Sequence, residues 1–260
     1  MNFLYSQTKR GIRIVASRLE LWPFLIHLIY RFRIHTNKSL RPEHPESEAI
    51  DSLVSVLEDG DIFWDVGAMN GSYTRYVRAA IQPKAIHAFE PNPIYFESCQ
   101  QNLYSLPGTF IRKTHDVALS DESGLMYFVT EMPAEANTSA GAIVKKSKID
   151  KFDNEKIVEV SMITGDKIIQ NNEALTPSIL KIDVEGAEMA VLRGLSDTFS
   201  SGEVRAALCE IHLPVEGPSP SIEDFDYTAE DVHRFFEEHG YSVQKVCQRE
   251  RDYHILAIQN

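Results

Sequence analysis

Ile62-Phe63-Trp64-Asp65-Val66-Gly67-Ala68-Met69-Asn70-Gly71 is a short apolar run that ends in an acid and passes straight into a glycine-containing turn. Further along, Ala88-Phe89-Glu90-Pro91-Asn92-Pro93 repeats the theme, an apolar run closed by an acid. Two parallel strands of an open α/β sheet build a nucleotide-type site in this way, outside their carboxyl ends. Gly67 and Gly71 let backbone approach a ligand closely, since a Cβ there would collide with it. Glu90, at the tip of the second strand, is placed to accept hydrogen bonds from both hydroxyls of a ribose. The spacing Asp-x-Gly-x-x-x-Gly lacks the G-x-G-x-x-G pattern that seats a pyrophosphate on a helix start, which disfavours a nicotinamide dehydrogenase. A site for ribose and a cationic or zwitterionic tail, without phosphate, points to S-adenosylmethionine. Alone, the first motif also suits plain strand-to-helix punctuation. The second motif, at the right distance, turns the reading toward a cofactor.

The chain has 260 residues, enough for one α/β domain with additions and a full core. Its composition, 43% hydrophobic and 25% charged, is that of a soluble globular protein. A net charge of -12 disfavours a general nucleic-acid footprint. Cys99, Cys209 and Cys247 are scattered, with neither a disulfide framework nor a zinc spacing, as expected in a reducing cytosol. The charge is uneven. Residues 1–41 carry eight Lys/Arg against one acid, a net of +7, leaving -19 for the rest. Within that basic segment, Leu19–Tyr30 is apolar but short, and Pro23 and His27 interrupt it, so it reads as neither a transmembrane helix nor a signal peptide. Residues 1–45 read as a basic helical extension. It either packs on its own domain or a second copy, giving a homo-oligomer, or lies on an anionic membrane surface. Packing is the preferred reading.

The remainder, 46–260, reads as one Rossmann-like domain. Helices are expected over 49–58, 72–80, 94–104 and 228–239. Strands are expected over 62–66, 85–89, 109–113, 178–184 and 204–211, with a closing antiparallel pair over 241–246 and 253–258. Leu125–Thr130 and Lys156–Ile163 depart from the βα rhythm and read as a β insertion around a polar loop, Pro133–Ala142, placed to lie over the site. The expected architecture is a seven-stranded, mostly parallel sheet with helices on both faces and an antiparallel C-terminal hairpin.

Chemistry is expected from the later strands. Lys181-Ile182-Asp183-Val184-Glu185-Gly186-Ala187-Glu188 is unusually polar for a central strand. Residues two apart share a side, so Lys181, Asp183 and Glu185 should face together, and Glu210 and His212 likewise. Burying such groups is costly unless they are paired. They form either a satisfied network, with Lys181 against Asp183 or Glu210 and an acid capping the helix near Gly186, or an acid/base cluster beside a methyl donor. In the second reading His212 deprotonates a substrate hydroxyl. A divalent metal on Asp183, Glu185 and His212 is a further, less favoured option, because the spacing is not diagnostic.

These residues resemble the FkbM-type methyltransferase family. The resemblance is carried by Asp65–Gly71, Phe89–Pro93, Asn102, Val117–Asp121, Leu180–Glu188 with Leu192-Arg193-Gly194, and Glu210-Ile211-His212. It covers about residues 60–212, and Lys181–Glu188 is its most specific block. The resemblance implies a Rossmann-like, class I methyltransferase that uses S-adenosylmethionine, usually to make a methyl ether on a sugar or natural product. Asp65, Gly67 and Gly71, with Ala68, Met69 and Asn70 between them, would line the methionine end. Glu90, with Pro91 and Asn92, would serve the ribose, and Asp116 and Val117 the adenine. The catalytic set would come from Lys181, Asp183, Glu185, Glu210 and His212. The family's Thr-Leu-Asp before the fourth strand is here Thr164-Gly165-Asp166. The reading is thus a cytoplasmic enzyme, peripheral to a membrane if residues 1–45 contact one, acting on a small-molecule or glycan hydroxyl. Its alternative is a non-catalytic Rossmann-like subunit that recruits a partner to a membrane-associated pathway.

Overall fold

The computed structural model describes residues 46–132 and 141–260, without the side chains of residues 147, 148 and 151. The expected extension, 1–45, and most of the expected site-covering loop lie outside the described residues. In chain order the elements of the main domain begin with α1 (Ser47–Ser55), β1 (Ile62–Val66), α2 (Ser72–Ala80), β2 (Ala85–Phe89), α3 (Pro93–Tyr104) and β3 (Ile111–His115). A second sheet follows with β4 (Ala118–Leu119), β5 (Gly124–Val129), β6 (Ala142–Val144) and β7 (Ile157–Ile163). Then come α4 (Gly165–Gln170), β8 (Ile179–Ile182), α5 (Glu188–Arg193), α6 (Ser196–Ser200), β9 (Ala206–His212), α7 (Ala229–Glu238), β10 (Tyr241–Gln248) and β11 (Asp252–Gln259).

The large sheet has the order β10-β11-β9-β8-β1-β2-β3. Its strands pair in parallel from β3 through β9, and β11 runs antiparallel to both β9 and β10. Alternation splits it into two faces. Trp64, Val66, Leu180, Ile182, Cys209 and Ile211 pack on the side of α4, α5, α6 and α7. Phe63, Ile179 and Leu208 pack on the side of α1, α2 and α3. Strand order reverses between β1 and β8, and in such sheets ligands bind at that switch, beyond the carboxyl ends of the strands.

Local differences from the expected boundaries have physical causes. Helix α1 stops at Ser55 rather than Glu58, because the Asp61 carboxylate accepts the Glu58 N–H at 2.7 Å and turns the chain. Strand β8 ends at Ile182 because Glu185 and Gly186 take left-handed backbone, with φ of 50° and 100°. The β insertion is present as a sheet of order β4-β7-β5-β6. Ala142, expected in the loop, instead begins β6 and pairs with Val129.

Candidate active site

A cleft of about 930 Å³ opens at the switch point. Its walls are the turn after β1 (Gly67, Met69), the end of β2 (Phe89, Glu90, Pro91), Val117 with the second sheet (Leu119, Phe128, Ile143) and the ends of β8 and β9 (Asp183, Glu185, Glu210). The glycines of the first motif serve the chain itself. A Cβ on Gly67 would meet the Asp183 carbonyl oxygen at 1.8 Å, and Gly71, with φ 76°, is the N-cap of α2. Gly67 is thus required by the close approach of Asp183 and Gly71 by its left-handed φ, whatever ligand the turn borders.

Asp65 is fully buried beneath this turn. Its Oδ2 accepts the Thr74 N–H and hydroxyl at 3.1 and 2.8 Å, which ties β1 to α2, while Oδ1 has no hydrogen-bond partner. Glu90 closes the β1–β2 gap, accepting from Met69 N at 2.6 Å and Asn92 N at 2.8 Å. Burial pushes its carboxyl up to about 7. Asn92 is structural: its Oδ1 caps α3 at Ile94 N and its Nδ2 donates to Thr130 O. The Asn70 carbonyl accepts from the Asn102 side chain, which accounts for Asn102. Ala68 is buried in the core beside α2, Val117 lines the cleft, and Asp116 is exposed.

The acidic side follows from strand register. Asp65 lies opposite Lys181, Asp252 opposite His212, and His254 opposite Glu210. Paired and alternate residues therefore bring one row of charged groups to the end of one sheet face. Lys181, 3% exposed, donates from Nζ to Gly67 O at 3.0 Å and pairs with Asp183 Oδ2 at 3.0 Å. Burial would lower its pKa, but Asp183 and Asp65 hold it above the ordinary lysine value. Burial likewise acts against Asp183, yet the Lys181 ammonium brings it down to about 2. Lys181 thus braces the Gly67 turn from behind and does not reach the cleft surface.

His212 is also walled in, at 1% exposure. Its Nδ1 lies 2.7 Å from Glu188 Oε1, and Nε2 stands 3.4 Å from Glu185 Oε2 and 3.8 Å from Asp183 Oδ1. Burial alone would lower the imidazole pKa, but Glu185 and Glu188 carry it up to about 10. Walled in by these carboxylates, the ring faces Asp183 and Glu185 and reaches the cleft only through them. Glu210 contacts Arg249, and its Oε2 lies 3.1 Å from His254 Nε2. Asp166, the acid of Thr164-Gly165-Asp166, accepts from Asp197 N, Thr198 N and the Thr198 hydroxyl and so anchors the start of α6.

Sequence reasoning missed Glu46, Arg249, Arg251, Asp252 and His254. Arg249 pairs with Glu46, Glu210 and Asp252, and Arg251 with Glu185 and Asp252. The signal was present: Asp252 and His254 stand two apart at the start of the last strand, the same alternation as Glu210 and His212.

A doubly wound sheet with its last strand inserted antiparallel, and an acid ending each of its first two strands, is the architecture of class I methyltransferases, which draw the methyl group from S-adenosylmethionine. A family model described as the methyltransferase FkbM domain matches residues 65–243, and the chain belongs to that family. The hexuronic acid methyltransferase AglP of Haloferax volcanii is 31% identical over 178 residues, 68% of this chain and 66% of that protein, just short of two thirds of its length. The 31-O-demethyl-FK506 methyltransferase FkbM of Streptomyces tacrolimicus is 24% identical over 208 residues, 72% of this chain and 75% of that protein. Among solved structures, a methyltransferase FkbM from Methylobacillus flagellatus shares the fold with a TM-score of 0.50 at 15% identity, covering 78% of this chain and 45% of that one. Among the described residues, no helix is long and apolar enough to cross a membrane.

Proposed function

We propose that the protein is an O-methyltransferase that places the methyl group of S-adenosylmethionine on a hydroxyl of a sugar or small natural-product acceptor. The observation that carries this reading is a cleft with Glu90 on one wall and Asp183 and Glu185 on another. The residues present fit the cofactor. Glu90 offers a buried carboxylate with spare lone pairs for a ribose diol. Val117, Leu119, Phe128 and Ile143 offer an apolar wall for a flat ring. Gly67 and Met69 would border the methionine end, and Pro91 would lie beside the ribose. When bound, S-adenosylmethionine supplies an electrophilic methyl group carried on a sulfonium.

The chain's own part is to orient the acceptor and receive its proton. Asp183 and Glu185 line the cleft, and their carboxylate oxygens can accept the hydrogen bond of an incoming hydroxyl. A strong base is not required, because that proton becomes acidic as the new carbon–oxygen bond forms. His212, tied to Glu188, is a positioning residue for these carboxylates, and Lys181 and Glu210 set the charge behind them. A hydroxyl-rich acceptor matches the polar wall of Glu185, Glu216, Ser219 and Arg251. The names of the two relatives, which state a hexuronic acid and a demethylated FK506 as acceptors, support the same class.

The test is incubation of the protein with methyl-labelled S-adenosylmethionine and a panel of hexuronic acid glycosides, neutral hexosides and hydroxylated macrolides. Base-stable label on a sugar or macrolide hydroxyl is expected. Base-labile label, marking a carboxyl ester, or label on no hydroxyl acceptor would contradict the reading. For residues 1–45 we infer packing on the acidic domain or on a second copy, given +7 against -19. Deletion of 1–45 should then lower oligomer size or stability. Salt-sensitive binding of the full chain to anionic liposomes, lost on deletion, would favour a membrane surface instead.

A further inference from the structure

Three carboxylates converge on an imidazole nitrogen that has no hydrogen-bond partner. His212 is 99% buried, and its Nε2 makes no hydrogen bond among the described residues. Around that atom stand Glu185 Oε2 at 3.4 Å, Glu210 Oε1 at 3.7 Å and Asp183 Oδ1 at 3.8 Å. These separations exceed those of N–H···O hydrogen bonds, about 2.7–3.2 Å. From this geometry we propose that Asp183, Glu185 and His212 hold a divalent cation of the Mg²⁺/Mn²⁺ type at the floor of the cleft. The cation's chemical purpose rests on the methyl transfer proposed above; its binding does not.

The donor atoms are gathered close to the spacing of such a site. With bonds of about 2.1 Å, two ligand atoms of an octahedral site lie about 3.0 Å apart when adjacent and about 4.2 Å apart when opposite. His212 Nε2 stands 3.4 Å from Glu185 Oε2 and 3.8 Å from Asp183 Oδ1, wider than adjacent positions, so a cation would draw these side chains inward by a fraction of an ångström; the three donor atoms already lie within 4.8 Å of one another. Asp183 and His212 are each turned inward by a second contact. Asp183 gives Oδ2 to Lys181 at 3.0 Å and leaves Oδ1 toward the ring. Glu188 Oε1 holds Nδ1 at 2.7 Å, so Nε2 is the nitrogen presented, the arrangement in which a carboxylate orients a metal-bound imidazole. Arg251 approaches Glu185 at 3.3 Å, which a carboxylate with several lone pairs can accept together with a cation.

A neighbouring cluster gives the contrast. Glu210, Asp252 and His254 also satisfy the donor geometry, but all three are buried and one guanidinium, Arg249, bridges both acids, whereas Lys181 and Arg251 each touch a single acid of the Asp183 cluster. The Asp183 cluster lies against the cleft, where two oxygen donors and one imidazole suit Mg²⁺ or Mn²⁺ and leave positions for water or an acceptor hydroxyl. A hydroxyl bound there would be both oriented and made more acidic.

The experiment uses the full-length chain, stripped with EDTA, desalted and titrated with Mn²⁺, with free Mn²⁺ read by electron paramagnetic resonance. One Mn²⁺ per chain is expected, displaced by excess Mg²⁺, with imidazole nitrogen coupling in the pulsed spectrum. Asp183→Asn and Glu185→Gln should each weaken Mn²⁺ binding by about tenfold or more, while S-adenosylhomocysteine binding persists. Absence of stoichiometric Mn²⁺ binding in a chain that still binds S-adenosylhomocysteine would overturn the proposal. So would affinity indifferent to both substitutions, or a spectrum without nitrogen coupling. If a variant does not fold, the nitrogen coupling of the unaltered chain decides. Full methyl transfer in EDTA would overturn the cation's role in the reaction and leave the proposed function standing. Mn²⁺ binding without methyl transfer to any hydroxyl would do the reverse.

Discussion

A Cβ on Gly67 would fall 1.8 Å from the carbonyl oxygen of Asp183, so the turn after β1 rests directly on the end of β8. The cofactor side and the acidic side of the cleft are therefore one packed unit. Lys181 reinforces it from beneath by bonding Gly67 O and pairing with Asp183.

Gly67→Ala should accordingly be severe. The residue has φ 74°, and the clash is with backbone, which cannot swing aside. Left-handed strain and overpacking together should cost about 2–5 kcal/mol. Chemical denaturation of the variant checks this. An unchanged midpoint, with unchanged S-adenosylhomocysteine affinity, would show that β8 can retreat.

Cofactor affinity should depend on pH through Glu90. Burial raises this carboxyl from 4.5 to about 7, so it is largely protonated in mildly acid solution and a poorer acceptor for two ribose hydroxyls. Affinity for S-adenosylhomocysteine should rise between roughly pH 6 and 8 as the group ionises. Stability runs the other way: Glu90's contribution is full below 4.5 and lost as pH rises through about 7. Calorimetry across that range measures the first effect. A flat affinity profile would separate Glu90 from the ligand.

A second pH effect arises away from the cleft. His87 Nδ1 and His115 Nε2 meet at 3.2 Å inside the sheet, and His115 stacks on Phe89 with ring centroids 4.4 Å apart. Burial lowers His87 to about 4 and His115 to about 3. Both rings are neutral in the folded chain, so their contribution is present above about 6.5 and lost as pH falls through 4 to 3. Histidine proton resonances provide the check. Two rings that remain neutral until the chain unfolds in acid are expected; titration of either near 6.5 in folded protein would contradict the packing.

The fold was legible because its signals are local. The apolar runs at Ile62–Val66 and Ala85–Phe89 and the helix Ser72–Ala80 stand where periodicity and turn residues put them. The closing hairpin and the β insertion were equally readable from alternation. Within the site, Asp183, Glu185, Glu210 and His212 do converge: i, i+2 alternation sets the side of Glu210 and His212 in β9, while Glu185 arrives through the left-handed turn after β8. What the sequence hid depends on distant partners. What His212 faces is decided by Glu188 and Glu185, contributed by another segment. Arg249 and Arg251 looked like a polar turn until pairing with β9 placed them over Glu210 and Glu185. Gly67's purpose was invisible because its neighbour, Asp183, is remote in sequence.

The central claim is that the cleft beside Glu90 is an S-adenosylmethionine site, and titration calorimetry of S-adenosylhomocysteine into the full-length chain tests it most directly. The expected result is one saturable site per chain, weakened by about tenfold or more in a Glu90→Ala variant whose thermal melt confirms folding. No saturable binding, or equal affinity in the folded variant, would contradict the account.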